Sequence, residues 1–238
     1  MTKIVKVVGR QVFDSRGNPT VEAEVFLADK TKASAIVPSG ASTGAYEAYE
    51  LRDNNKDFFL GKSVLKAVKN INTIINKNLK NIEVVNQKKI DQILLDLDGT
   101  ENKKKLGANA LLAVSLAAFK AAASSKKREL YQHLGKKFLL PKPLMNIING
   151  GVHADNNLRI QEFMIRPDSA KNFMDAIEKC FLVIQNLKKI LQAKNLSTNV
   201  GDEGGFAPLI NSNEEALNLL VDAIEKSKLK PGVDINIC

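Results

Sequence analysis

The apolar residues change their spacing twice along this chain, and those changes limit the folds open to it. In the first stretch the period is two. Val21, Ala23, Val25 and Leu27 alternate with Glu22, Glu24 and Phe26, the pattern of a half-buried strand. Ile4–Val8 and Ala33–Val37 flank it as further strands, and Gly17-Asn18-Pro19 and Asp29-Lys30 supply the turns. Connections this short join neighbours, so an antiparallel meander is predicted. From Ser63 the spacing becomes helical: Val64, Val68, Ile71 and Ile75 recur on one face, then Ile90, Leu94 and Leu97. Leu106–Ala123 is alanine-rich and apolar on most faces, which calls for deep packing. Residues 1–135 therefore read as a small α+β domain, a sheet covered by helices.

The second change follows a break at Gly135, Pro141 and Pro143. Residues 136–238 then read as a second domain. Its expected elements are strands at Leu144–Ile148 and Gln161–Arg166, a helix over Ala170–Ala193, a strand at Thr198–Gly201, a helix over Glu214–Lys226 and a strand at Asp234–Cys238. Ser212 and Glu215 have the spacing of a capping box that opens the last helix. Alternating strands and helices predict a parallel α/β sheet. Roughly 100 residues remain after Pro141, against about 250 for a closed (β/α)8 barrel, so a barrel here would be less than half complete.

Composition narrows the classes. With 44% hydrophobic and 26% charged residues the chain is a soluble globular type. No signal peptide is visible after Met1, and the weakly polar run Ala108–Phe119 is too short to cross a bilayer. Cys180 and Cys238 are far apart, which fits a reducing cytoplasm and gives neither a disulfide framework nor metal-ligand spacing. Two histidines, His133 and His153, do not make a multi-histidine metal site. The net charge of +9 raises association with RNA as an alternative. The lysines, however, are dispersed in short runs without interleaved aromatics, the pattern of a solvated surface.

Four segments have residues suited to chemistry. Pro38-Ser39-Gly40-Ala41-Ser42-Thr43-Gly44 is a small, polar loop able to approach a phosphate or metal, but it lacks the lysine of a P-loop. On composition alone it is more often a plain surface loop. Asn149–Asn157 follows a strand and holds one histidine, His153, in a setting where a surface histidine is the commoner outcome. Gln161 and Glu162 open the next strand. Among Ile160, Phe163 and Met164, the Glu162 carboxylate would have its ionised form disfavoured unless partnered; otherwise it faces water from an edge strand. Gly201-Asp202-Glu203-Gly204-Gly205 follows a strand, where barrels carry their active sites, yet it is also a good turn.

Taken in order, these segments resemble the enolases, the phosphopyruvate hydratases. The stretches are Asp14–Glu22, Val37–Gly44, Leu106–Ala110, Asn149-Gly150-Gly151 with His153, Gln161–Met164 and Asn199–Pro208, and Ala154–Asn157 is worded as in bacterial members. The resemblance implies an N-terminal α+β domain followed by a (β/α)8 TIM-like barrel. It implies reversible loss of water from 2-phosphoglycerate to give phosphoenolpyruvate, with two Mg²⁺ ions that stabilise the charge of the intermediate. Ser39 would ligate the second Mg²⁺ from a closing lid. His153 would lie near the substrate phosphate, and Gln161 would bind substrate. Glu203 would be the general acid for the departing hydroxide, with Glu162 beside it.

The family's other functional groups come after the segment resembled by Asp234–Ile237: three acidic ligands of the first Mg²⁺, the lysine base, and an arginine, a serine and a lysine that hold substrate. A chain with only the residues present here is expected to have no meaningful dehydratase activity and to fold poorly, with an open barrel edge. A non-catalytic binding or surface protein is the alternative. The family also implies a homodimer or larger ring in the cytoplasm, with a surface or secreted pool in some members.

Overall fold

The computed structural model describes residues 2–40, 44–201 and 203–238. Three strands open the chain: β1 (Ile4–Phe13), β2 (Pro19–Leu27) and β3 (Lys32–Val37). They form an antiparallel meander with Val7 opposite Val25 and Val21 opposite Val37. Val21, Ala23, Val25 and Leu27 face the core, as their alternation requires. β1 runs past the expected end at Val8. Gly9 ends the apolar pattern but not the strand, because Ile71 packs where its side chain would be: a Cβ on Gly9 would lie 2.9 Å from Ile71 Cβ.

Helices cover one face of this sheet. A continuous helical stretch comprises α1 (Leu65–Asn70), a π-helical turn (Ile71–Ile75) and α2 (Asn76–Leu79). Its buried residues Ala67, Ile71, Ile75 and Leu79 are spaced strictly by four. An α-helix would rotate that row by about 40° at each step; the wider π winding takes up the drift. The same stretch guards the outer edge of β1. Val7 N–H donates to Asn76 Oδ1 at 2.8 Å, and Gly9 N–H to Asn72 Oδ1 at 2.8 Å. Asn72 Nδ2 returns a bond to Gly9 O at 3.1 Å. A row of backbone groups that invites another strand is thus occupied.

Next come α3 (Gln87–Asp98), α4 (Ala108–Ser125) and the short α5 (Leu130–Leu134). From sequence, the apolar run of α4 stops at Phe119. The helix continues to Ser125 and is, by length and composition, long enough to cross a membrane. Length therefore does not exclude a span. The packing of α4 against β2 and β3, with Ala110, Ala113, Val114 and Ala117 buried, makes it a core helix.

The chain divides into two units, Met1–Phe138 and Leu139–Cys238, each with its own apolar core. The second contains β4 (Met145–Asn149), β5 (Glu162–Arg166), α6 (Phe173–Ala193), α7 (Asn213–Lys226) and β6 (Asn236–Ile237). Its sheet corrects the parallel expectation: β4 pairs antiparallel with β5, and β5 antiparallel with β6. The β4–β5 connection holds only a 3-10 turn, without the crossover helix a parallel pair needs. Between β5 and β6 the chain makes two helices rather than the single crossover helix of a βαβ unit. No closed barrel is formed by the described residues. The strand expected at Thr198–Gly201 is reduced to one bridge, Val200 with Phe206, and Phe206 in turn bridges Ile148. The capping box is half made: Ser212 Oγ accepts from Glu215 N–H at 3.1 Å, but the Glu215 carboxylate accepts from Asn211 N–H at 3.0 Å.

Both sheets offer a contact whose loss can be measured. Asn72→Ala strips partners from both the N–H and C=O of Gly9 and should cost about 1–3 kcal/mol, read as a lower denaturant midpoint with an unchanged slope. In the second sheet, Asp168 accepts two 2.7 Å bonds from Arg166 and one from Asn236, tying the end of β5 to β6. The Arg166 and Asn236 bonds pull its carboxyl from 3.8 down to about 2. The folded form then binds the proton more weakly than the unfolded one, so this stabilisation is present above pH about 4 and lost as pH falls towards 2. The gap in melting midpoint between the parent and Asp168→Asn should be full at pH 5 and close towards pH 2.

Candidate active site

In the second unit, two loops and one strand start bring four polar side chains together. The loop after β4 turns through Gly151–His153 and is fastened to the start of β5. Gly150 N–H donates to Gln161 O at 2.9 Å, and Gly151 N–H to Leu158 O at 2.9 Å. His153 is thereby laid beside Gln161 and Glu162. Contrary to the commoner outcome for a loop histidine, it is buried, 5% exposed.

Glu203 arrives from a third segment. Phe206 N–H donates to Ile147 O at 2.8 Å, and Asn149 N–H donates to Phe206 O at 2.9 Å, so this residue docks on β4 as a single parallel bridge. The loop before it closes on itself, with Gly201 N–H donating to Gly205 O at 2.9 Å. It wraps the side chain of Asn149, which is fully buried at the end of β4. A Cβ on Gly201 would lie 2.4 Å from Asn149 Nδ2, and one on Gly205 would lie 2.4 Å from Asn149 Oδ1. Only glycine permits that approach. Asn146 Nδ2 donates to Asn149 Oδ1 at 2.7 Å, and Asn156 Nδ2 to Asn149 O at 2.9 Å.

The result is an imidazole between two carboxylates. His153 Nδ1 is 3.4 Å from Glu162 Oε1, and His153 Nε2 is 3.9 Å from Glu203 Oε1. Gln161 Nε2 is 3.1 Å from His153 Nε2. Glu162 is half-buried and Glu203 is exposed at its loop tip, so one acid is fixed against the ring and the other faces solvent. Such a group can hold, donate and accept protons around a polar ligand. Asp202 lies outside the described residues.

Ser39 belongs to the first unit. Its Oγ donates to Glu50 Oε1 at 2.6 Å and accepts from Arg52 Nη2 at 3.1 Å. Arg52 also grips Glu50 through Nε at 3.1 Å and Nη2 at 2.8 Å, while Arg16 binds the Ser39 carbonyl. Ser39 borders a cavity of about 750 Å³ that Glu47, Glu50, Asp91 and Asn109 also line. Ala41, Ser42 and Thr43 of its loop lie outside the described residues. The residues that position these groups are not marked in the sequence. Asn149 reads there as the first residue of a loop, although it ends a strand. Glu50 and Arg52 carry a recognisable signal, an acid and a base two apart, but nothing local says that they enclose Ser39.

The architecture, a meander with covering helices ahead of a partial barrel carrying an acid–imidazole–acid group, matches two family models in chain order. Residues 4–134 match the model described as enolase, N-terminal domain, and residues 137–238 the one described as enolase, C-terminal TIM barrel domain. The chain belongs to the enolase family. It is similar to a protein named enolase from Pelagibacter ubique (strain HTCC1062), 60% identical over 240 residues, an alignment that takes in 100% of this chain and 57% of that protein. The chain thus spans little more than half the length of this curated relative.

Gly205→Ala tests how the site is held. The added methyl meets Asn149 Oδ1 and also the Ile147 carbonyl carbon, 2.9 Å away, so the loop must lift. A loss of about 1–3 kcal/mol is expected, together with separation of Glu203 from His153 in a crystal structure of the variant.

Proposed function

We propose that the protein of which this sequence is a part catalyses the reversible dehydration of 2-phosphoglycerate to phosphoenolpyruvate. The observation that supports this is the convergence of His153, Glu162 and Glu203, from three separate segments, in a chain of the enolase family. Residues 1–135 form the N-terminal domain of this reading, and residues 136–238 the start of the barrel. Glu203, at the solvent-facing tip, is the general acid that protonates the departing hydroxide. Glu162, against the ring, orients that end of the site. His153 faces the phosphate side, and Gln161 completes the wall. A positioned acid of this type contributes about 10²–10⁴-fold to rate.

Magnesium finds little purchase on the residues in hand. A hard divalent ion takes about six oxygens, and among the described residues no group of three or more acidic, histidine or cysteine side chains is arranged to hold one. The Ser39 hydroxyl is engaged by Glu50, and two guanidinium groups stand beside it, an arrangement that repels a cation. These residues do not by themselves fit the metal. In this reading its ligands come from the length of the curated relative that the present sequence does not span, and the proton-abstracting base comes with them. The protein works as an oligomer in the cytoplasm.

The test is the rate of phosphoenolpyruvate formation by the protein expressed from its full reading frame. Glu203→Gln should lower kcat by about 10²–10⁴-fold while substrate still binds. A variant that keeps the parent rate would remove Glu203 from the chemistry.

A further inference from the structure

Gln161 is expected from the family resemblance to touch substrate, yet its amide is directed at His153. Its Nε2 is 3.1 Å from His153 Nε2. An amide nitrogen has protons to give and no lone pair to offer, so this contact requires the lone pair on the imidazole. In the neutral ring the single proton then resides on the other nitrogen, Nδ1. That nitrogen is buried, has no hydrogen-bond partner among the described residues and lies 3.4 Å from Glu162 Oε1. A buried N–H without a partner is costly, and a small rotation of the Glu162 carboxylate satisfies it. On the other side Glu203 Oε1 stands 3.9 Å from Nε2, beyond hydrogen-bond reach, and the position within reach is taken by Gln161.

We infer that Gln161 is a positioning residue: it holds His153 in the Nδ1–H tautomer, commits that proton to Glu162, and keeps the ring from exchanging protons with Glu203. The two carboxylates are thereby set to different tasks by one amide. Glu162 is tied to the imidazole, and Glu203 stays independent at the loop tip. This deepens the reading of the cluster as the acid side of a dehydratase centre and rests on it for its catalytic meaning. The tautomer itself does not depend on which reaction the site performs.

The experiment uses protein expressed from its full reading frame and labelled with ¹⁵N at histidine. The His153 signals are identified by their loss in His153→Gln, and the protonation of each ring nitrogen is read by correlation spectroscopy near neutral pH. Nδ1 is expected to carry the proton and Nε2 to be bare. A proton on Nε2, or on both nitrogens, overturns the inference without any appeal to catalysis. Gln161→Glu then places an acceptor where a donor stood. It should place a proton on Nε2 while Nδ1–H still faces Glu162, and lower kcat/KM. An Nε2 that stays bare in that variant also overturns the assignment to Gln161. A parent protein with the Nδ1–H signal that fails to dehydrate 2-phosphoglycerate strikes the functional reading and leaves this inference supported.

Discussion

The candidate site depends on one pair of backbone hydrogen bonds, those that join Phe206 to Ile147 and Asn149. Without them the Gly201–Gly205 loop has no fixed relation to β4, and Glu203 has no fixed relation to His153. The pair is short, a single bridge instead of a ladder, so other contacts must prevent it from opening. Packing does this: Phe206 lies in the same apolar core as Ile147, Ile148 and Phe163. The Asn149 side chain fills the inside of the loop against Gly201 and Gly205, with its Oδ1 held by Asn146. A bridge of this kind positions a side chain at little cost in ordered backbone, which suits a site whose exposed acid stands at a tip.

Much of this arrangement is legible in the residues. The meander follows from Val21, Ala23, Val25 and Leu27, because a period of two over that length fits a half-buried strand and not a helix. His153, Gln161, Glu162 and Glu203 are each marked by type and by place after or at the start of a strand, although singly each fits an ordinary surface position as well. Direction and depth are not legible. Periodicity says that β4, β5 and β6 are strands, but the way each runs depends on how the chain between them is folded. The burial of Asn149 and His153 depends on segments some 50 residues away, at Gly201 and Gly205. Gly9 and Glu50 mislead or fall silent for the same reason: their partners, Ile71 and Ser39, are not their sequence neighbours.

The first unit shows how an edge strand can be closed without another strand. Asn72 and Asn76 are four apart on the helical stretch, while Val7 and Gly9 are two apart on β1. Helical rise over four residues is about 6 Å and strand rise over two is about 6.6 Å, so the two spacings nearly coincide. That match lets one side of a helix answer consecutive outward amides of a strand. Gly9 brings the two backbones close enough for an amide as short as asparagine to reach.

The π turn gives this arrangement a history as well as a shape. It is equivalent to one residue inserted into an ordinary helix. Deleting any one residue between Ile71 and Ile75 would restore regular winding and space the buried row by four, three and four, the ordinary stripe of an α-helix. Leu79 would stay on the buried face, while Asn72 and Asn76 would come three residues apart instead of four. A change of length here is thus absorbed within one turn, and what it alters is local: the spacing of the two asparagines against the two outward amides of the strand.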